Sequence, residues 1–208
     1  MAKSFLMPKG YGEDFHIEKK SRFIGSCAPV SSEAEALEFL ASVRAKNAGA
    51  NHNVYAYIIK DGPTRFSDDG EPQGTGGKPI LEVLEREGVT NAICVVTRYF
   101  GGTLLGAGGL TRAYAKGAKI GLDAAGIAQM EPLLRATLKL PYHLLGQAQE
   151  YLKNCAVTGD MEYLEEVSMQ ITLRPDMAEE IGRAIADMSA GAVRLEEGEE
   201  FFAAGFPF

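Results

Sequence analysis

Apolar positions along this chain follow two spacings, one of about four residues and one of two, and the spacing changes at glycine and proline. Phe15 to Ile17 and Arg22 to Cys27 read as two short strands around the polar stretch Glu18-Lys19-Lys20-Ser21, and Pro29 ends the segment. Ser32 followed by Glu35 has capping-box spacing, and Ala36, Leu37, Leu40, Ala41 and Val43 then recur at helical spacing. This predicts a helix that stops near Asn47 to Gly49. Val54 to Ile59 is rich in β-branched and aromatic residues and closes on Asp61-Gly62-Pro63, a strand followed by a turn. Lys78-Pro79 sets proline near the first turn of a helix through Leu81 and Leu84, with Gly88 as its stop. Ala92 to Tyr99 is a continuous apolar run, the mark of a strand buried on both faces. Gly101 to Gly109 is a glycine-rich loop, and Leu110 to Ala125 a helix with Leu110, Ala113, Tyr114, Ala118 and Leu122 on one broad face, ending at Gly126.

The pattern breaks at Glu131-Pro132, where composition also turns acidic. Beyond it come a strand (Leu133 to Leu140), a helix (Gly146 to Asn154), two strands (near Ala156 to Met161 and Val167 to Leu173), a helix after Pro175 and a strand at Ala192 to Glu196. That order is βαββαβ, the ferredoxin-like arrangement. The expectation is an α+β chain of two domains, residues 1–131 and 132–208, divided near residues 127 to 135. The tail Phe201 to Phe208 reads as a docked or loose end.

The length of 208 residues, with 46% hydrophobic content, suffices for two small cores. No run of about 18 apolar residues occurs, and the start has no basic-then-apolar order, so the expectation is a cytoplasmic protein without a membrane partner. The net charge of -7 is unevenly held. Residues 1–131 carry 15 Lys+Arg and 15 Asp+Glu, leaving 21 - 15 = 6 and 28 - 15 = 13 for the remainder. The acidic back half repels nucleic acid in bulk, so any phosphate contact falls to a local patch in the front half. Cys27, Cys94 and Cys155 are odd in number and far apart in sequence, and read as reduced structural thiols.

Fourteen of the 24 glycines fall between Gly62 and Gly126, concentrated in two loops. The first, SDDGEPQGTGGKP (Ser67 to Pro79), combines Asp68, Asp69 and Glu71 with Gly74, Gly76 and Gly77. Its carboxylates suit either a Mg²⁺ that keeps its waters and bridges to phosphate, or a tight turn in which they accept backbone hydrogen bonds. The second, RYFGGTLLGAGGLTRAY (Arg98 to Tyr114), joins the apolar strand to a helix. The N–H groups around Gly108, Gly109 and Leu110 suit an anion, with Arg98, Arg112 and Lys116 adding charge, but close helix-to-strand packing asks for the same glycines. His52, opening NHNVYAY, is a general base or a hydrogen-bonded polar anchor. No Ser-His-Asp order, HExxH or paired-cysteine zinc spacing is present.

The blocks KSRFIG (Lys20 to Gly25), NHNVYAY (Asn51 to Tyr57), SDDGEPQGTGGKP and VVTRYFGGTLLGAGGLTRAY closely resemble, in order and spacing, the signature blocks of the YigZ/IMPACT family over about residues 14 to 126. Residues 133 to 197 resemble the small ferredoxin-like domain of bacterial members. The resemblance implies a front domain with the ribosomal-protein and GHMP-kinase type of fold and a back domain similar to one in elongation factor G. It also implies a link to translation, since eukaryotic relatives compete for an activator of the kinase that senses uncharged tRNA. In GHMP kinases a glycine-rich loop before a helix holds nucleotide phosphate, and Gly106 to Gly109 is the matching region. Many relatives carry a lysine in this loop where this chain has Leu104, which removes one cation from it.

Three readings follow. The first is a non-enzymatic regulatory or binding protein whose partner is a protein of the translation machinery. The second is an enzyme or nucleotide binder for a phosphorylated small molecule, with Mg²⁺ on Asp68, Asp69 and Glu71 and phosphate on Gly106 to Leu110. The third is an RNA-binding protein, opposed by the neutral charge of the front half. The expected site is one concave surface lined by both loops, with His52 or Arg98 beside it.

Overall fold

The computed structural model describes residues 3–208. Phe5–Gln129 forms one compact unit; Met130–Phe208, together with Lys3 and Ser4, forms another. The first contains β1 (Phe5–Pro8), β2 (Gly12–Glu18), β3 (Ser21–Pro29), α1 (Glu33–Lys46), β4 (His52–Ile58), β5 (Thr64–Ser67), α2 (Gly77–Arg86), β6 (Ala92–Tyr99) and α3 (Ala107–Ala125). β1 and β5 are four-residue strands too short to announce themselves by alternation.

The sheet order is β2-β3-β6-β4-β5, with antiparallel pairing throughout. β6 is therefore central, and its two-sided burial comes from helices on both faces of an antiparallel sheet. Cys94 and Val96 join Phe23, Val54 and Ala56 beneath Ile80 and Leu84 of α2 and Tyr114 and Leu122 of α3. Ile93 and Val95 point the other way, into a core with Tyr57 and with Ala36, Leu40 and Val43 of α1. A strand packed on both faces loses the polar positions that normally break its apolar run. The same register sets Cys27 opposite Cys94, so two cysteines distant in sequence are neighbours, both as buried free thiols.

α3 lies directly on β3. A Cβ on Gly25 would sit 1.9 Å from the Gly117 carbonyl oxygen, so the close approach of helix to strand depends on glycine. α1 starts as its spacing requires: Ser32 is extended and its Oγ accepts from the Glu35 N–H at 3.2 Å. The reciprocal half of the box is displaced by one residue, the Glu35 carboxylate accepting instead from the Ser31 N–H at 2.7 Å.

In the second unit the elements are β7 (Ile127–Leu140), α4 (Tyr142–Leu152), β8 (Ala156–Tyr163), β9 (Val167–Leu173), a 3-10 turn (Pro175–Met177), α5 (Ala178–Met188) and β10 (Leu195–Ala204). Within this unit β7 pairs with β10 and with β9, and β9 with β8, all antiparallel. Leu138, Met169 and Ile171 of the sheet share a core with Leu152 of α4 and Ile181 and Ile185 of α5. Pro132 does not interrupt this sheet as its sequence context implies. β7 runs through it, with Pro132 opposite Phe202 of β10 and β9 pairing only from Leu134 onward. The final strand is longer than its apolar pattern: Phe201 to Ala204 of the tail belong to β10, opposite Leu133 to Met130. Among the described residues no helix is long and apolar enough to cross a membrane.

Candidate functional site

Both glycine loops leave the first unit's sheet beside the end of β6, and a buried polar centre joins them. Arg98, 5% exposed, is the inward residue there; its Nη1 donates to Glu71 Oε1 at 2.6 Å, and the Tyr114 hydroxyl of α3 donates to the same oxygen at 2.7 Å. Burial, then the carboxylate of Glu71, pushes the Tyr114 phenol well above its ordinary range. Arg98 Nη2 reaches Ser21 Oγ at 3.4 Å, and that oxygen also accepts from the Gly101 N–H at 3.1 Å. Gly101 is obligatory at this crossing, since a Cβ would lie 2.1 Å from the Lys20 backbone. The guanidinium of Arg98 also lies 5.4 Å from the Phe23 and Phe100 ring centres, in cation–π range.

The carboxylates of the first loop are turned into the protein. Asp68 accepts from the N–H groups of Gly74, Gly76 and Gly77 at 2.8, 2.9 and 2.9 Å, closing the loop onto the start of α2. Burial alone would raise the Asp68 carboxyl, but these three donors hold it below its ordinary value. Asp69, left-handed at φ 46°, accepts from the Asn53 N–H at 2.6 Å and from Arg44 at 2.8 Å. Its carbonyl oxygen lies 2.8 Å from His52 Nδ1. A carbonyl only accepts, so Nδ1 carries the proton; Nε2 stands 3.9 Å from Glu71 Oε1, outside hydrogen-bond reach.

The structure thus brings Asp68, Asp69, Glu71, His52 and Arg98 together, but with the acidic groups engaged by protein donors. Among the described residues no group of three or more His, Cys, Asp or Glu is disposed to hold a metal ion. The second loop contributes less than its composition implies. Gly106, at φ 74°, caps α3, so the helix begins three residues before Leu110, and the Leu110 N–H is already taken by the Gly106 carbonyl at 2.9 Å. Gly108 and Gly109 remain in the first turn, with the Arg112 side chain close above Gly108. Leu104, 82% exposed, and Phe100, 45% exposed, stand out from this loop. Tyr114, Ser21, Asn53 and Arg44 were not marked as site residues by the sequence, because each reads as an ordinary core, turn or surface position. Only the contacts made across strands and helices give them a role.

The fold and this polar centre define an α+β protein of two units, each with an antiparallel sheet, whose first unit carries two glycine loops held by an Arg–Glu–Tyr cluster. The chain belongs to the IMPACT family: the Impact N-terminal domain matches residues 19–122, and a domain of unknown function (DUF1949) matches residues 138–192. It is 34% identical to "IMPACT family member YvyE" of Bacillus subtilis, over 96% of this chain and 93% of that protein. It is 36% identical to "IMPACT family member YigZ" of Escherichia coli, over 95% and 100%. "Protein IMPACT" of Homo sapiens is 36% identical over 43% of this chain and 29% of its own length. A solved structure described as that of a hypothetical protein superposes with a TM-score of 0.62 at 35% identity, covering 96% of this chain and 99% of its own.

Proposed function

We propose that this chain is a non-enzymatic binding protein connected with the regulation of translation, and that it presents the second glycine loop to a protein of the translation machinery. The observation that carries this reading is the engagement of Asp68, Asp69 and Glu71 by backbone, arginine and tyrosine donors. Groups satisfied in this way rigidify a surface; to bind Mg²⁺ they would have to release those bonds. The surface so held offers an aromatic anchor. The Phe100 N–H donates to Asn51 Oδ1 at 2.7 Å, the Arg98 guanidinium lies near its ring, and Leu104 projects beside it in the loop. Aromatic anchors fixed before binding lose little entropy when a partner covers them.

Membership of the IMPACT family supports the link to translation through the regulatory role of eukaryotic relatives. In the same reading, residues 1–131 form the IMPACT-like domain and residues 132–208 a ferredoxin-like domain, supported by the βαββαβ order and the antiparallel pairing of β7 with β10 and β9, and of β9 with β8.

Co-sedimentation of the full chain with ribosomes and translation factors in a cell extract, with the rate of protein synthesis followed in parallel, tests the proposal. Association and an altered synthesis rate are expected for the native chain, and at least about tenfold weaker association for Leu104→Asp and Phe100→Ser, as for loss of an anchoring side chain. Association abolished by ribonuclease would favour RNA as the partner. No association, or association indifferent to both substitutions, would overturn the reading.

A further inference from the structure

A second feature of the first unit stands apart from the Arg98–Glu71 centre. Where the β2–β3 turn meets the first turns of α3, the lining of a cavity of about 210 Å³ includes His16, Glu18, Lys19, Gly109, Arg112 and Lys116. Three cations face one carboxylate. No side-chain hydrogen bond or ion pair engages Lys19, Arg112 or Lys116 among the described residues. The floor is more informative than the rim. His16 is nine-tenths buried and stacked on Phe23 at 5.3 Å, yet neither of its ring nitrogens has a protein partner. Buried polar groups are ordinarily hydrogen-bonded, so this ring is placed for something the protein does not itself supply.

The protonation state narrows what that is. Burial first, then the charge of Lys116, holds His16 below its ordinary pKa, against the opposing pull of Glu18 and Asp14. A neutral imidazole offers one N–H and one lone pair. A phosphate oxygen accepts from the N–H, while the three cations balance its charge. The volume is below the roughly 300 Å³ at which whole small-molecule sites begin. It fits a phosphate and the atoms next to it.

We propose that this groove binds a phosphate group, free or as a monoester, His16 making the buried hydrogen bond and Lys19, Arg112 and Lys116 supplying the charge. The proposal does not rest on the protein-binding reading, although Leu105, Gly109 and Arg112 of the second glycine loop line the groove, and the carrier is either free phosphate or a mononucleotide. Calorimetric titration of the full chain with inorganic phosphate, AMP and adenosine tests it, together with ¹⁵N NMR of the three histidine side chains. Phosphate and AMP are expected to saturate with dissociation constants below about 1 mM, and adenosine to show no binding. AMP tighter than phosphate identifies a nucleotide carrier; equal affinities identify phosphate alone. Arg112→Glu and Lys116→Glu, both at exposed positions, are expected to weaken binding by about tenfold or more, and phosphate to shift the His16 nitrogens while leaving His52 and His143 in place. Absence of saturable binding, equal binding of adenosine, or indifference to Lys116→Glu would overturn the proposal.

Discussion

Asp68 illustrates how a carboxylate among glycines becomes structural. Each glycine N–H it binds belongs to backbone that a side chain would obstruct or strain: Gly74 has φ 76°, and a Cβ on Gly77 would lie 2.8 Å from the Ser67 backbone. The sequence therefore made both the turn reading and the metal reading available, and only the directions of the N–H groups distinguish them. A titration follows. The folded Asp68 carboxyl lies below its ordinary 3.8, so its contribution to stability is present in full above about pH 4 and is lost as the pH falls through the lowered value. Asp68→Asn is expected to flatten the acid limb of the stability-versus-pH curve, measured by urea unfolding between roughly pH 5 and pH 2. An acid limb identical to that of the native chain would show that the three backbone bonds do not favour the ionised form.

Among elements, the helices and strands carrying strong periodicity were legible from sequence, and the exceptions have physical causes. α1 shows its cap because Ser32 and Glu35 act within one turn of chain, whereas the start of α3 was misplaced because Gly106, its cap, has no side chain to signal the role. Proline normally ends a ladder, so the pattern predicts a strand from Leu133 only, whereas pairing with β10, which lies far along the chain, carries β7 through Pro132. The glycines of α3 were ambiguous for a similar reason. Anion binding and close packing require the same residue; further along α3, Gly117 packs on Val96 of β6 and Gly121 on Gly25 of β3, whereas Gly108 and Gly109 meet only Arg112 and Leu105 side chains. Gly25→Ala is accordingly expected to destabilise the protein by about 2 kcal/mol or more, since neither backbone can yield without separating helix from strand. Gly49→Ala, with open space around it, serves as the control. Equal thermal midpoints for the two variants would refute the direct contact.

For the whole molecule, the order of elements was readable because each of the two units completes its own core, and the uneven charge was readable by counting. The site was less so. Arg98, Glu71, Tyr114 and Ser21 come from β6, the first glycine loop, α3 and β3, and what they do together depends on sheet order. His16 was overlooked because it lies on a strand whose alternation is partly hidden by the exposed Phe15 and Ile17, so its burial appears only once α3 covers β2. The account rests on Glu71 being a structural carboxylate, and the stability of Glu71→Gln tests that most directly. Urea unfolding of the native chain and of Glu71→Gln in metal-free buffer is predicted to show a loss of about 3 kcal/mol or more, because Arg98 would be left buried without its counter-charge. Unchanged or increased stability in Glu71→Gln would contradict the account, since a carboxylate held ready for a metal or a substrate is strained in the free protein and its removal relieves that strain.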